Sequence, residues 1–390
     1  MNNPSSEKIP FFHDPEKLAI LYQFLAVLII ALIGFFIIHN TVANLDRQHI
    51  STGFGFLTHE ASFDIGETLI PYSSADTYGR ALIVGVLNTL LVSFVGIFLT
   101  LILGTFIGIA RLSTNWLVSK LAGIYIEVFQ DIPVLIQLIF WYSLFYEMLP
   151  SPRKALNPFK GLFLSNRGCV FALPKWNHAF TYASVAFFIA CVLVFFVRRW
   201  AIKRQADTGE IFPLTGFAIG VVIGFPLIVW LILGAPLEMN TPVLSGFNFK
   251  GGLNISPEFT SLLLGLVLYT AAFVAEVVRA GIQSVSKGQN EAAISLGLKQ
   301  GQVLNLVVLP QAMRVIVPPM TSQMLNLAKN SSLAVAIGFP DFVSVCGTTI
   351  NQTGQAIEGI FLIMLVYLCF SLSTSAFMNW YNKKIALVER

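Results

Sequence analysis

The sequence predicts an all-α polytopic membrane protein, on the basis of its composition, the length of its apolar runs and the pattern within them. Of the 390 residues, 55% are hydrophobic and 11% are charged, whereas about a quarter of the residues of a soluble domain are charged. Several apolar runs reach the length of about 20 residues that an α-helix needs to cross a bilayer. Because the runs are apolar on every side and longer than the roughly 9 to 11 residues of a barrel strand, they exclude an outer-membrane barrel.

About eight transmembrane helices are predicted. Their ranges are 18–39, 81–110, 121–146, 180–197, 214–234, 259–282, 315–337 and 357–380. The first run follows a polar, proline-containing segment rather than a short basic one, which favours an uncleaved helix over a signal peptide. An even number of spans places both termini on one side, and most of the 24 Lys and Arg residues fall on that side. Both termini are therefore expected to be cytoplasmic.

The segment 287–298, between the sixth and seventh spans, is too polar to cross a membrane and predicts a short cytoplasmic helix. Asn290 can cap its N-terminus, Glu291 in the first turn suits the positive end of the helix dipole, and Gly297 can adopt the left-handed conformation that ends a helix. Its small apolar face consists of Ala292, Ala293 and Leu296. Such a face has no core of its own, so we expect it to bind in a groove on another protein.

Residues in and after this segment resemble the signature of inner-membrane permeases of binding-protein-dependent ABC importers. The residues that match in identity and spacing are Glu291, Ala292, Ala293, Gly297, Leu309 and Pro310. In that family the loop is the coupling helix that docks on the ATPase. The resemblance therefore implies that these residues, together with Leu296, couple the chain to an ATPase.

Four further segments resemble the polar amino acid permeases, such as those for histidine and glutamine. They are 125–129, 133–138, 275–283 and 309–314. The resemblance implies a MetI-like type I importer core of five helices, with three extra helices as in the longer general L-amino acid transporters. The implied parts are a tail, first helix and outer loop (1–79), a first core part (80–149), an insertion with two extra helices (150–258) and a second core part (259–390) with the coupling helix at about 288–310.

The source of energy must lie outside this chain. No G-x-x-x-x-G-K-[ST] phosphate loop occurs, so the chain cannot bind ATP through such a loop. We expect a transport subunit rather than an enzyme, without a cofactor of its own, with ATP and Mg²⁺ bound by a partner ATPase dimer. The resemblance further implies a heterodimer with a second homologous permease and a periplasmic amino-acid-binding protein, in the bacterial inner membrane. No nucleic-acid partner is expected.

Polar and ionisable residues within the spans are candidates for a substrate pathway, because such groups are costly in a bilayer. They are Asn88, Glu127, Asp131, Gln137, Glu276, Asn326 and Lys329. Glu276 and Arg279, three apart on one helix, can instead form a structural ion pair. An amino acid zwitterion needs one anionic and one cationic partner, which suggests Asp131 or Glu276 together with Lys329.

Other classes of protein remain as alternatives. The main one is an ion-gradient-driven secondary amino acid transporter, which would have broken helices at matched positions in two related halves. The sequence shows no such pair, and nothing in it resembles the selectivity filter of a channel. A membrane enzyme is disfavoured because the five histidines are scattered and the four cysteines show no disulfide or metal-ligand spacing.

Overall fold

The computed structural model describes residues 15–47, 52–210 and 212–385. Its helices are α1 (Pro15–Arg47), α2 (Tyr78–Arg111), α3 (Trp116–Asp131), α4 (Val134–Ser143), α5 (His178–Thr208), α6 (Leu214–Ile232), α7 (Pro257–Gln283), α8 (Lys287–Ser295), α9 (Gln300–Val303), α10 (Leu309–Asn330), α11 (Phe342–Thr353) and α12 (Ala356–Ile385). Most of the predicted N-terminal tail lies outside the described residues.

The long helices confirm the predicted polytopic class. Within the described ranges, seven helices are long and apolar enough to cross a membrane, and the bent pair α3 and α4 would make an eighth. The most apolar stretches of α1, α6 and α12 contain no residue buried within the chain. Because large apolar surfaces are not left in water, these helices are expected to contact lipid or another membrane subunit.

The third predicted span, 121–146, is not one continuous helix. It breaks between α3 and α4, whose axes, followed through to Met148, bend by 101°. Pro133 causes the break, because proline lacks an N–H and pushes the residue before it out of the helical conformation. Ile132 accordingly has an extended backbone, with φ −89° and ψ 123°. The prediction of one uninterrupted helix here is wrong.

Short strands that the sequence did not indicate occur on both sides of the α5–α6 hairpin. They are β1 (Leu156–Phe159), β2 (Leu162–Ser165), β3 (Gly168–Phe171), β4 (Leu173–Pro174), β5 (Met239–Asn240), β6 (Val243–Ser245), β7 (Asn248–Lys250) and β8 (Leu253–Ile255). The larger sheet has the order β1-β2-β3-β8, and β4 pairs with β5 and β6 with β7, all antiparallel. We call the strand-bearing residues 149–177 and 233–256 the β-lobe. Its pairings place the two ends of the hairpin on the same side of the membrane.

One glycine permits the pairing that closes the β-lobe. Gly168 has φ +109°, and a Cβ there would lie 2.1 Å from the carbonyl oxygen of Ile255 on β8. Only a residue without a side chain allows β3 and β8 to approach in this way.

The chain divides into two compact units. The first contains the described residues up to Phe98 and from Glu276 onwards, and the second contains Leu99 to Ala275. In the first unit, the loop before α2 packs with α2 and α11 around a buried cluster: Phe56, Ala61, Tyr78, Ala81, Leu82, Phe342, Val345 and Cys346. A Cβ on Gly85 of α2 would lie 3.0 Å from the Cα of Phe342, so the two helices approach closely at this glycine.

In the second unit, the first part of α7 is the central element. A Cβ on Gly104 of α2 would lie 2.5 Å from Cγ1 of Val274, and one on Gly265 would lie 2.6 Å from Cδ2 of Leu138 on α4. The hydroxyl of Tyr125 on α3 donates to the carbonyl oxygen of Leu268 at 2.8 Å. The two arms of the broken helix are thus both fixed to α7.

Candidate functional site

The polar segment between α7 and α10 forms a helix that begins earlier than predicted. α8 starts at Lys287, and the residue that precedes it is Ser286, in an extended conformation that suits an N-cap. Asn290 and Glu291 therefore lie inside the helix. The predictions that Asn290 caps the helix and that Glu291 occupies its first turn are wrong, because the chain turns into the helix four residues earlier, at Ser286.

The end of α8 confirms the predicted conformation of Gly297, which has φ +82°. The N–H of Leu298 donates to the carbonyl oxygen of Ala293 at 3.3 Å, and the N–H of Gly297 donates to that of Ile294 at 2.8 Å. These are the two hydrogen bonds of the Schellman motif, which requires a left-handed residue. A Cβ at position 297 would meet nothing within 4 Å, so conformation rather than space demands a glycine.

Apolar side chains are exposed on and after α8. Leu296 is 83% exposed and Ile294 51%, whereas Ala293 is 4% exposed and packs within the chain. The predicted apolar face is therefore split, with Ala292 and Leu296 outward and Ala293 inward. We call the exposed large side chains of this region the apolar set: Ile294, Leu296, Leu304, Leu306 and Leu309. Ile294, Leu304 and Leu306 were not predicted, although large apolar residues in a polar segment are a usable signal.

The helices on either side of α8 pack directly against each other. A Cβ on Gly281, near the end of α7, would lie 2.2 Å from Cγ1 of Ile316 on α10. Pro310 is in the first turn of α10, where its missing N–H leaves no helical hydrogen bond unmade. Because α7 and α10 contact each other tightly at this end, a displacement of α8 is transmitted to both helices.

The break between α3 and α4 holds the predicted residue Gln137. Its side-chain amide donates to the carbonyl oxygens of Phe129 and Ile132, at 3.0 and 2.9 Å. Gln137 is buried, so it satisfies carbonyls that the break leaves without helical partners. Glu127 and Asp131 lie on the same helix and are exposed in the described chain.

The first unit contains the other predicted pathway residues. Glu276 pairs with Arg279, whose Nε donates to Glu276 Oε2 at 2.9 Å and whose guanidinium also binds the Oε1 atom. The predicted ion pair is therefore confirmed. Asn326 and Lys329 are exposed on α10, three residues apart, and share one helix face with exposed Ser322.

Asn88 has a structural role rather than a place on an open pathway. It is buried, and its side-chain amide donates to the carbonyl oxygens of Glu67 and Pro340 at 2.8 and 2.9 Å. Both donors are thus used to hold the loop before α2 and the turn before α11. The prediction of Asn88 as a pathway residue is wrong, because the α2–α11 contact encloses it.

Comparison with known proteins places the chain in a family. Residues 183–387, slightly more than half of the chain, match the binding-protein-dependent transport system inner membrane component. The general L-amino acid transport system permease protein AapQ of Rhizobium johnstonii is 50% identical over 97% of this chain and 94% of its own length. The chain belongs to this permease family. Membership confirms the predicted fold class and makes the permease a transport subunit rather than an enzyme.

Two other relatives also match nearly the whole permease. The putative amino-acid ABC transporter permease protein YhdX of Escherichia coli is 49% identical over 97% of both chains. The glutamate/glutamine/aspartate/asparagine transport system permease protein BztB of Rhodobacter capsulatus is 40% identical over 96% of this chain and 93% of its own length. These matches give no support to the alternative of an ion-gradient-driven transporter. They confirm a multi-pass inner-membrane protein.

The permease also contains a buried acidic residue that sequence reasoning missed. Asp341 precedes α11, is fully buried, and accepts a hydrogen bond from the N–H of Ser344 at 2.9 Å. Burial raises its pKa to about 6. Asp341 and Gly354 at the two ends of α11 are cap-type residues that could have predicted this helix. Among the described residues, no group of three or more His, Cys, Asp or Glu side chains could hold a metal ion.

Proposed function

We propose that this permease passes L-amino acids, delivered by a substrate-binding protein, into the cytoplasm, and that a separate ATPase drives the transport. The names of the three relatives support the substrate class, since all of them refer to amino acid transport. The observation that carries the coupling step is the apolar set on and after α8, which is exposed in a segment too polar to lie in the membrane.

The coupling contact is proposed to involve Glu291, Ala292, Leu296, Leu309 and Pro310, all of which are exposed. Gly297 shapes the end of α8, and Ala293 supports the helix from inside the chain. Because the chain has no phosphate loop, ATP and Mg²⁺ are proposed to be bound by the partner ATPase dimer.

The proposed assembly is a heterodimer with a second, homologous permease. The unburied apolar stretches of α1, α6 and α12 support a membrane environment that includes another subunit as well as lipid. Since α8 must meet a cytosolic ATPase, the side of the membrane that carries α8 is proposed to be cytoplasmic. Counting the broken α3–α4 pair as one span then puts both termini on that side, in agreement with the charge distribution.

The substrate pathway is proposed to use polar groups from both compact units. Glu127, Asp131 and Gln137 lie on or beside the broken helix, and Asn326 and Lys329 lie on the exposed polar face of α10. Glu276 is the weakest member of the proposed pathway, because Arg279 already compensates its charge. A discontinuous helix supports the proposal, since non-helical backbone within a membrane is tolerated where it lines a cavity or is covered by protein.

Affinity purification of the permease from its native membrane, followed by reconstitution into liposomes, tests the proposed function. An ATPase subunit should co-purify, and uptake of a labelled amino acid should require ATP on the ATPase side and binding protein on the other. Leu296→Glu should remove the ATPase and abolish uptake, whereas Leu69→Glu, at an exposed leucine in the loop before α2, should do neither. Uptake by the purified permease alone, stopped by an ionophore and indifferent to ATP, would contradict the proposal.

A further inference from the structure

The β-lobe has a strong positive charge for its size. It contains a single acidic residue, Glu238, which pairs with Lys175 at 3.6 Å. Its basic residues, all of them exposed, are Arg153, Lys154, Lys160, Arg167, Lys175 and Lys250. Such an excess of one sign attracts acidic surfaces and accelerates their encounter with the protein.

Two of these arginines line a cleft of about 310 Å³. Three turns of the β-lobe meet there: the short helical turn Pro152–Lys154, the β2–β3 turn with Asn166 and Arg167, and the β6–β7 turn with Phe247. Ser151 also lines the cleft. Buried Pro152, and the N–H of Asn166 donating to the carbonyl oxygen of Pro150 at 2.9 Å, hold the turns in place.

The geometry of Arg153 leaves its hydrogen-bond donors available. Its guanidinium lies over the ring of Phe247, 4.6 Å from the ring centroid, which fixes the plane of the group without using its N–H edges. In the described part of the chain, neither Arg153 nor Arg167 forms an ion pair with a carboxylate. A planar, oriented guanidinium binds a carboxylate through two parallel hydrogen bonds.

The composition of the cleft favours a protein as its occupant. Exposed Phe247 beside two arginines is the combination that is enriched at energetically important positions of protein interfaces. The 27 residues of α7 separate the β-lobe from α8 along the chain, a helix long enough to cross a bilayer at about 1.5 Å per residue. The β-lobe therefore belongs to the side of the membrane opposite the ATPase, where a binding protein docks in a binding-protein-dependent system.

We propose that the cleft between Arg153 and Arg167 receives a surface carboxylate of the substrate-binding protein, so that the β-lobe is part of its docking surface. This inference rests on the proposed function, because it presupposes that the permease acts with such a protein. The docking is electrostatic and directional, so it weakens with salt and depends on both arginines.

Titration of the reconstituted complex with binding protein tests the proposal. The probe is the binding protein that stimulates ATP hydrolysis by the wild-type complex, in nanodiscs of zwitterionic lipid. Arg153→Glu with Arg167→Glu should leave the basal ATPase rate unchanged and raise the half-saturating concentration of binding protein at least tenfold, equivalent to about 1.4 kcal/mol. The matched control is Lys160→Glu, at an exposed position in the β1–β2 turn that does not line the cleft, which should change it far less.

Each other outcome has one meaning. Arg153→Lys with Arg167→Lys, which keeps the charge but not the paired donors, should give an intermediate shift. An unchanged half-saturating concentration in the double glutamate variant, at normal basal activity, overturns the proposal. An effect of the substitutions that appears only with anionic lipid assigns the cleft to the membrane surface instead, and likewise overturns it. If no binding protein stimulates the wild-type complex, the proposed function itself fails.

Discussion

Replacing Gly297 with valine should uncouple the permease from its ATPase while leaving the membrane helices folded. Position 297 has φ +82°, and a new Cβ would touch nothing within 4 Å, so the whole penalty comes from the backbone. Forcing a β-branched residue into the left-handed region costs about 1 to 3 kcal/mol. If the strain is relieved by unwinding the end of α8, the docked form of α8 becomes roughly 5 to 150 times rarer.

The assay is ATP-driven uptake of a labelled amino acid in liposomes, at equal amounts of reconstituted permease. Gly297→Asn should retain more uptake than Gly297→Val, because asparagine tolerates the left-handed conformation. The matched control is Gly288→Ala inside α8, where a Cβ also meets nothing within 4 Å. Alanine favours the helix by about 0.8 to 1 kcal/mol over glycine, so this variant should retain uptake. Wild-type uptake by Gly297→Val would refute the account of how α8 ends.

Three further changes test the fold around the site. Gly281→Ala inserts a Cβ 2.2 Å from Cγ1 of Ile316, so it should lower the free energy of unfolding by about 1 to 3 kcal/mol, measured as a lower Tm; an unchanged Tm would show that α10 gives way freely. Gln137→Leu removes the two hydrogen bonds at the α3–α4 break and should cost about 1 to 3 kcal/mol for each carbonyl left unpaired, whereas Gln137→Glu should retain one oxygen acceptor but no amide donor and destabilise similarly. Burial raises the pKa of Asp341 from 3.8 to about 6, so the native state binds the proton more tightly than the unfolded state, and stability should fall by roughly 3 kcal/mol as the pH rises from below 4 to above 6. Asp341→Asn, which keeps the capping oxygen, should remove that pH dependence of Tm; a wild-type Tm independent of pH would contradict the assignment.

The length and position of the membrane helices could be predicted from the sequence, because a bilayer imposes a minimum length on any apolar helix. The left-handed end of α8 could be predicted for a similarly local reason, since Gly297 follows a run of helix-forming residues. These features depend on a few neighbouring residues, and tertiary packing did not alter them.

The features that sequence reasoning missed depend on contacts between distant segments. The strands of the β-lobe form because residues 168–171 meet residues 253–255, with two long helices in between. The bend after α3 is held by Gln137 and by packing on α7, neither of which a hydropathy pattern can show. Asn88 looked like a pathway residue because its partners, the carbonyl oxygens of Glu67 and Pro340, are far away in the sequence.

Photo-crosslinking from position 296 in the intact complex tests the central claim most directly. Leu296 is 83% exposed at the end of α8, and a photoreactive residue there should form a covalent adduct with the ATPase subunit. The same residue at position 69, an exposed leucine in the loop before α2, should form none with the ATPase. Adducts of position 296 with lipid alone, or with no second polypeptide, would contradict the assignment of α8 as the contact through which ATP hydrolysis drives this permease.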